Sequence, residues 1–291
     1  MSGRISSAYR KPHTRRQHRD ALNVGVTYSK PAATTTAEMA KTVADEGWSV
    51  VGVLDRPLSR RLLRAVDEVA VRSRDASAAG QLHQLSGLAQ HPDLAAVVDW
   101  PPLLALVVAL LSPNVYINHS HLDVHPPQPP PGAHRWHRDN GLMGRDMRLL
   151  WRDQPRVTLK VAVYLTDVES PDDGALEVVP RSHLDTASRY PTEEQPDGVP
   201  ILGPAGTVAV FDARLWHRRR DNLGTRIRRA MFMAYSYRWL TSRDIPFEDV
   251  PEWASLPRIR RQLLGDKTVD PFYWAAGELP LDPRSADPKA A

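Results

Sequence analysis

Apolar positions recur at helical spacing in the first third of the chain and alternate with polar ones after Pro113. Thr34-Thr35-Thr36 offers an N-cap, residues 37–46 read as a helix, and Gly47 is a natural stop. Residues 48–54 then read as a strand. Pro57 opens a second helix, with Leu62, Leu63, Val66, Val69 and Ala70 on one face. Helices also fit residues 93–98 and 103–111. Period-two strands follow at 115–124, 157–165, 176–179, 207–217 and 226–238. A helical block followed by such strands predicts a closed or sandwiched antiparallel sheet. The run Pro126-Pro127-Gln128-Pro129-Pro130-Pro131-Gly132 excludes regular structure and reads as a stiff loop feeding His137.

Composition narrows the class. The chain has 291 residues, 42% of them hydrophobic and 25% charged, as expected of a globular protein with a large core. It has no cysteine, which excludes disulfides, thiolate metal sites and cysteine nucleophiles and fits a cytoplasmic setting. No apolar run reaches the length of a membrane span. The net charge is +4, with Arg4, Arg10, Lys11, Arg15, Arg16 and Arg19 preceding the first acidic residue, Asp20. Residues 1–33 are therefore expected to be a solvated basic tail, 34–275 a single domain, and 276–291 a C-terminal tail. Basic and aromatic residues do not cluster in the catalytic half, so no nucleic-acid partner is expected.

The chemistry sits in two places. Trp136-His137-Arg138-Asp139 puts an imidazole and a carboxylate two residues apart, on one face of an extended chain. Trp216-His217 supplies a second imidazole. Two histidines and one carboxylate can cap one face of an octahedral Fe(II) and leave three positions open. Asp221-Asn222-Leu223-Gly224 has turn chemistry, so a hairpin would make His217 and Arg228 cross-strand neighbours on one face. That face continues through Ala230, Phe232 and Ala234, which would turn Arg228 inward. A buried guanidinium needs a carboxylate, and a ligand can provide it. Alternatively, Arg228 belongs to the basic surface cluster around Arg218, Arg219 and Arg220, or a bulge turns Arg226 or Arg229 inward instead.

With these residues in place, the chain resembles the phytanoyl-CoA dioxygenase family of Fe(II)/2-oxoglutarate oxygenases. The resemblance rests on residues 136–139, on Tyr164-Leu165-Thr166-Asp167-Val168, on residues 174–183, on Trp216-His217 and on Arg228. It implies a double-stranded β-helix (jelly roll) core with N-terminal and peripheral helices. It also implies Fe(II) on His137, Asp139 and His217, the distal carboxylate of 2-oxoglutarate on Arg228, and O2 as co-substrate. Departures from the family pattern fall at Arg181, Arg219 and Leu176; Asp139 is retained, which argues against a halogenase.

Further candidates surround this set. His134 is expected to contact the co-substrate or to stand in solvent. His119, His121 and Asp123 share one face of their strand, and the resemblance turns 119 and 123 toward the co-substrate. A second metal site on that strand alone is disfavoured, because three alternate residues spread over roughly 13 Å. Lys160 either snorkels to solvent or faces the interior as a charge for cofactor or substrate. Trp136 and Trp216 read as core or wall, and His183 as structural or substrate-facing. Asp172-Asp173 reads as turn chemistry. Residues 140–156 and 184–204 are candidate lids. Arg145, Arg148 and Arg152 in the first raise an anionic substrate, offset by Asp146 and Asp153. The expected function is oxidation, most simply hydroxylation, of a C–H bond in a small molecule, with natural-product tailoring suggested by the Ala- and Arg-rich composition. The runner-up is a jelly-roll small-molecule-binding protein without catalysis, motivated by Leu176 and Arg219.

Overall fold

The computed structural model describes residues 34–73, 80–127, 135–139, 153–185, 198–275 and 277–282. The basic tail, His134, Arg145, Arg148 and Arg152 and most of both candidate lids lie outside them.

The N-terminal helix α1 (Thr36–Glu46) starts on a capping box. Thr35 accepts from the Glu38 backbone N–H, and the Glu38 carboxylate accepts from that of Thr35. Gly47, at φ 87°, ends it in the left-handed region. Strand β1 (Trp48–Val53) follows, then α2 (Arg56–Arg72), capped by Asp55 and opened by a proline at its first turn. The short strand β2 (Leu82–Leu85) leads through 3-10 turns to α3 (Pro101–Leu110). Of residues 93–98, expected to be α-helical, 93–97 belong to a 3-10 stretch, Pro92–Val97. The last helix, α4 (Arg258–Leu263), had no counterpart in the sequence reading.

Two antiparallel sheets form the core. The larger runs β1-β7-β4-β9-β3-β2 and the smaller β6-β5-β8. Their remaining strands are β3 (Val115–His125), β4 (Thr158–Tyr164), β5 (Leu176–Val178), β6 (Val199–Ile201), β7 (Thr207–Asp212), β8 (His217–Arg219) and β9 (Arg228–Tyr237). This is the expected jelly roll with helices packed outside. Among the described residues no helix is long and apolar enough to cross a membrane.

Alternation sorts the side chains. On β9, Met231, Met233 and Tyr235 join the core beneath the helices, while Ala230 and Phe232 join a second core between the sheets. The outer core also takes Val43, Leu62, Val66, Leu103 and Leu106 from α1, α2 and α3. On β3 the alternation breaks. Ile117 pairs with Tyr235 and His119 with Ala234, so Asn118 is the extra residue of a bulge. Val115 and Ile117 face the helices, whereas His119, His121 and Asp123, also odd-numbered, line an inner cavity.

Two expectations are corrected. Residues 207–217 are not one strand: β7 ends at Asp212 in the large sheet, and β8 starts at His217 in the small one. The break is made by a buried acid. Asp212 accepts from the backbone N–H of Arg214, from its guanidinium and from Arg156, while Leu215 N–H donates to Asp212 O. Nor do His217 and Arg228 face each other in a hairpin. His217 pairs with Val178 on β5, and Arg228 pairs with His125 on β3. The turn at Asn222 instead spans the corner between sheets, its amide donating to His125 O and Arg226 O.

Candidate metal centre

The pairing that aligns the ligand candidates is local. His137 and His217 exchange both backbone hydrogen bonds at 3.0 Å, and Asp139 N–H donates to Ala213 O. This bridge extends the small sheet by one short segment. Directly opposed residues present their side chains to the same face, and Asp139 follows two residues on. The outcome is a compact triad. Candidate ligand atoms of His137, Asp139 and His217 all lie within 4.8 Å of one another. His217 Nε2 is 3.5 Å from Asp139 Oδ2, and His137 Nε2 is 3.9 Å from Asp139 Oδ1.

Hydrogen bonds set both imidazoles for ligation. His217 Nδ1 lies 2.9 Å from Leu215 O, and His137 Nδ1 lies 3.0 Å from Arg135 O. A carbonyl only accepts, so Nδ1 carries the hydrogen and each Nε2 keeps its lone pair. Burial pushes the His217 pKa down to about 4 against the pull of Asp139, so the ring is neutral at pH 7. Burial also opposes ionisation of Asp139. Lys160, His217 and His137 outweigh it and hold the carboxyl well below its usual range. Lys160 is buried, with Nζ 3.4 Å from Asp139 Oδ2, so it faces the interior rather than solvent.

The triad opens into a cavity of about 450 Å³, a size suited to a co-substrate and a small molecule. Its wall includes the inner face of β3 (His119, His121, Asp123 and His125), His83 from β2, and Arg219 and Arg243. Leu176, Phe211 and Phe232 supply the apolar part. Arg228 lies just behind this wall. It is 2% exposed, and its guanidinium carbon sits 5.6 Å from the Tyr164 ring and 5.9 Å from that of Phe232. Its three guanidinium nitrogens are inaccessible to solvent and have no hydrogen-bond partner among the described residues. The left-handed Gly174 lets the side chain pass, since a Cβ there would lie 2.8 Å from Arg228 Cδ.

A divalent metal fits the three donors: two Nε2 atoms and one ionised carboxylate, all facing one cavity. An anion fits the guanidinium, because buried N–H donors left without acceptors are costly. Of the other sequence candidates, His119 lies at the wall with Nδ1 3.3 Å from Asp244, and Asp123 is held by His83. His183 turns away and meets Ala44 O at 3.0 Å beneath α1. Trp136 and Trp216 pack with Val179, each with a guanidinium over its ring. His83, Phe211 and Arg243 were missed. His83 sits in a four-residue strand, too short to show periodicity.

The chain matches the sequence model of the phytanoyl-CoA dioxygenase family over residues 52–230. No curated protein sequence matches it significantly. Several solved structures share its fold. HygX from Streptomyces hygroscopicus, with nickel and 2-oxoglutarate bound, is 16% identical, with a TM-score of 0.60 over 72% of this chain and 90% of that one. The non-haem α-ketoglutarate-dependent carbocyclase SnoK from nogalamycin biosynthesis is 19% identical, with a TM-score of 0.54 over 71% and 87%. The epimerase SnoN, in complex with Fe3+, α-ketoglutarate and nogalamycin RO, is 19% identical, with a TM-score of 0.53 over 69% and 83%.

Proposed function

Because the chain belongs to the phytanoyl-CoA dioxygenase family of non-haem iron, 2-oxoglutarate-dependent oxygenases, we propose that His137, Asp139 and His217 hold its Fe(II). In this reading Arg228 receives the distal carboxylate of 2-oxoglutarate, and the enzyme hydroxylates a C–H bond of a small molecule. One observation carries it: the three donors face a cavity, and just behind its wall lies a buried guanidinium whose nitrogens have no hydrogen-bond partner among the described residues.

Bound Fe(II), with 2-oxoglutarate and O2, supplies an oxidant able to attack an unactivated C–H bond. The protein supplies everything else. The carbonyls of Leu215 and Arg135 fix the two imidazoles in the ligating tautomer. Lys160 keeps Asp139 ionised. Arg228 fixes the orientation of the co-substrate through a paired contact in a site free of competing water. Phe211, Phe232 and Leu176 shield the reacting centre, while the polar β3 wall orients the substrate. In balance, R–H, 2-oxoglutarate and O2 become R–OH, succinate and CO2.

Natural-product tailoring is the proposed setting, in line with the nogalamycin enzymes that share the fold. The family chemistry also reaches cyclisation and epimerisation, so the product decides. Turnover under 18O2 with a candidate substrate should give a product carrying one 18O, with succinate formed in equal amount. A product without label, either isomerised or two hydrogens lighter, would replace hydroxylation by epimerisation or by desaturation and ring closure.

A further inference from the structure

The cavity contains a second group of metal-type donors that the proposed catalytic set does not use. Bulging at Asn118 turns the odd-numbered residues of β3 inward. The edge strand β2 then places His83 directly opposite Asp123. His121 precedes Asp123 by two and shares its face. The ligand atoms of His83, His121 and Asp123 all lie within 4.8 Å of one another, as do those of the first triad. His83 Nδ1 is 2.7 Å from Asp123 Oδ1, and the His83 and His121 rings are 4.8 Å apart. Three alternate residues of one strand are too spread to chelate an ion; a cross-strand pair plus a neighbour two residues away is not.

Two features point to a ligand rather than to a finished hydrogen-bond network. His121 stacks flat on Phe232, at 4.6 Å and 11°. Its Nδ1 is inaccessible to solvent and has no hydrogen-bond partner among the described residues. A buried imidazole nitrogen left without a partner is a lone pair or N–H that the fold itself does not use. The Asp123 carboxylate meets His83 at Oδ1 and His125 Nε2 at 3.6 Å from Oδ2, while Lys160 Nζ is turned to Asp139. His83 keeps 59% of its side chain exposed, which leaves an entry path.

We propose that His83, His121 and Asp123 bind a second divalent cation in the cavity of the Fe(II) centre. Two imidazoles and one carboxylate select a borderline first-row ion such as Zn(II), Ni(II) or Co(II) over Mg(II) or Ca(II). The ion would displace the hydrogen shared by His83 and Asp123 and tie the edge strand β2 to β3. With only three protein ligands, it keeps coordination positions for oxygen or nitrogen donors of a molecule in the cavity.

The test uses the full chain without an affinity tag, stripped with chelator and loaded with Zn(II). Bound metal is counted after desalting, and anomalous scattering from loaded crystals locates it. The expected count is two equivalents in wild type, one in His83→Ala and one in His217→Ala. The remaining anomalous peak in His217→Ala should lie between β2 and β3. His83→Ala also removes a hydrogen bond to buried Asp123, so the melting temperature of the metal-free variant is measured alongside, and the equivalent kept at the first triad shows that the variant is folded. Asp123→Asn is the independent second variant. A single equivalent in wild type that survives His83→Ala and disappears in His217→Ala overturns the second site and leaves the first intact. A single equivalent lost in His83→Ala but kept in His217→Ala upholds this site and contradicts the Fe(II) assignment. No bound metal contradicts both.

Discussion

His137 and His217 are a hydrogen-bonded antiparallel pair, each N–H donating to the other's carbonyl at 3.0 Å. Residues 80 positions apart in the chain are thus held side by side by the backbone alone. The ring centroids are 4.2 Å apart, and both Nδ1 atoms are occupied by carbonyls. Backbone, not metal, is the primary determinant of the geometry. The candidate centre is preorganised.

Arg228 is the sharpest probe of co-substrate binding. Arg228→Met should weaken 2-oxoglutarate by about 2–5 kcal/mol, the usual cost of deleting one half of a buried charged pair. It should also raise the melting temperature of the ligand-free protein, because it removes a buried guanidinium whose nitrogens have no hydrogen-bond partner there. Saturating 2-oxoglutarate, at one hundred times its Kd, should stabilise wild type by about 2.7 kcal/mol. Thermal denaturation with and without 2-oxoglutarate measures both effects. A variant that is less stable without ligand and equally stabilised by 2-oxoglutarate would remove Arg228 from the site.

Asp212 predicts an acid limit. Burial opposes its charge, but Arg214 and Arg156 win and lower its pKa below 3.8. Its contribution to stability is therefore complete above that value and declines as pH falls through the folded-state pKa. Asp212→Asn should cost about 3–5 kcal/mol at pH 7, because it strands the buried guanidinium of Arg214. The deficit relative to wild type should shrink toward pH 3. Urea melts of both proteins across pH 3 to 8 test this; a pH-independent gap would mean that packing, not charge, is lost.

Gly47 ends α1 beside the segment that leads to His217. A Cβ there would lie 2.5 Å from Leu215 Cδ1 and 2.7 Å from His183 Nδ1, at a φ of +87°. Gly47→Ala should lower stability by about 2 kcal/mol through strain and overpacking. Leu215 O orients His217, so metal affinity should fall as well. Calorimetry and a metal titration check the pair of effects, and a stable variant with weakened metal binding would show that only the local segment moved.

Much of this was legible in the sequence, for identifiable reasons. Strong periodicity and a capping signal set the first two helices, and the two-residue spacing of His137 and Asp139 set the candidate chelate. Alternation through Ala230, Phe232 and Ala234 correctly turned the Arg228 face inward, although the hairpin used to argue it does not exist. The break between β7 and β8 was hidden because no Gly or Pro marks it; a buried carboxylate binding the next arginine makes the turn. The bulge at Asn118 was hidden too, since an extra residue leaves no signature in a run of alternating polar positions. His83 reaches the cavity only through pairing with a strand about forty residues later.

The most direct test is spectroscopic and anaerobic. Fe(II) and 2-oxoglutarate are added to metal-free wild type, His217→Ala and Arg228→Met, and the weak visible charge-transfer band of the chelate is followed. The band is expected in wild type and absent in His217→Ala. In Arg228→Met it should appear only at 2-oxoglutarate concentrations raised by tenfold or more. A band that persists in His217→Ala, or wild type that binds Fe(II) at this triad and shows no band with 2-oxoglutarate, would contradict the assignment of this centre.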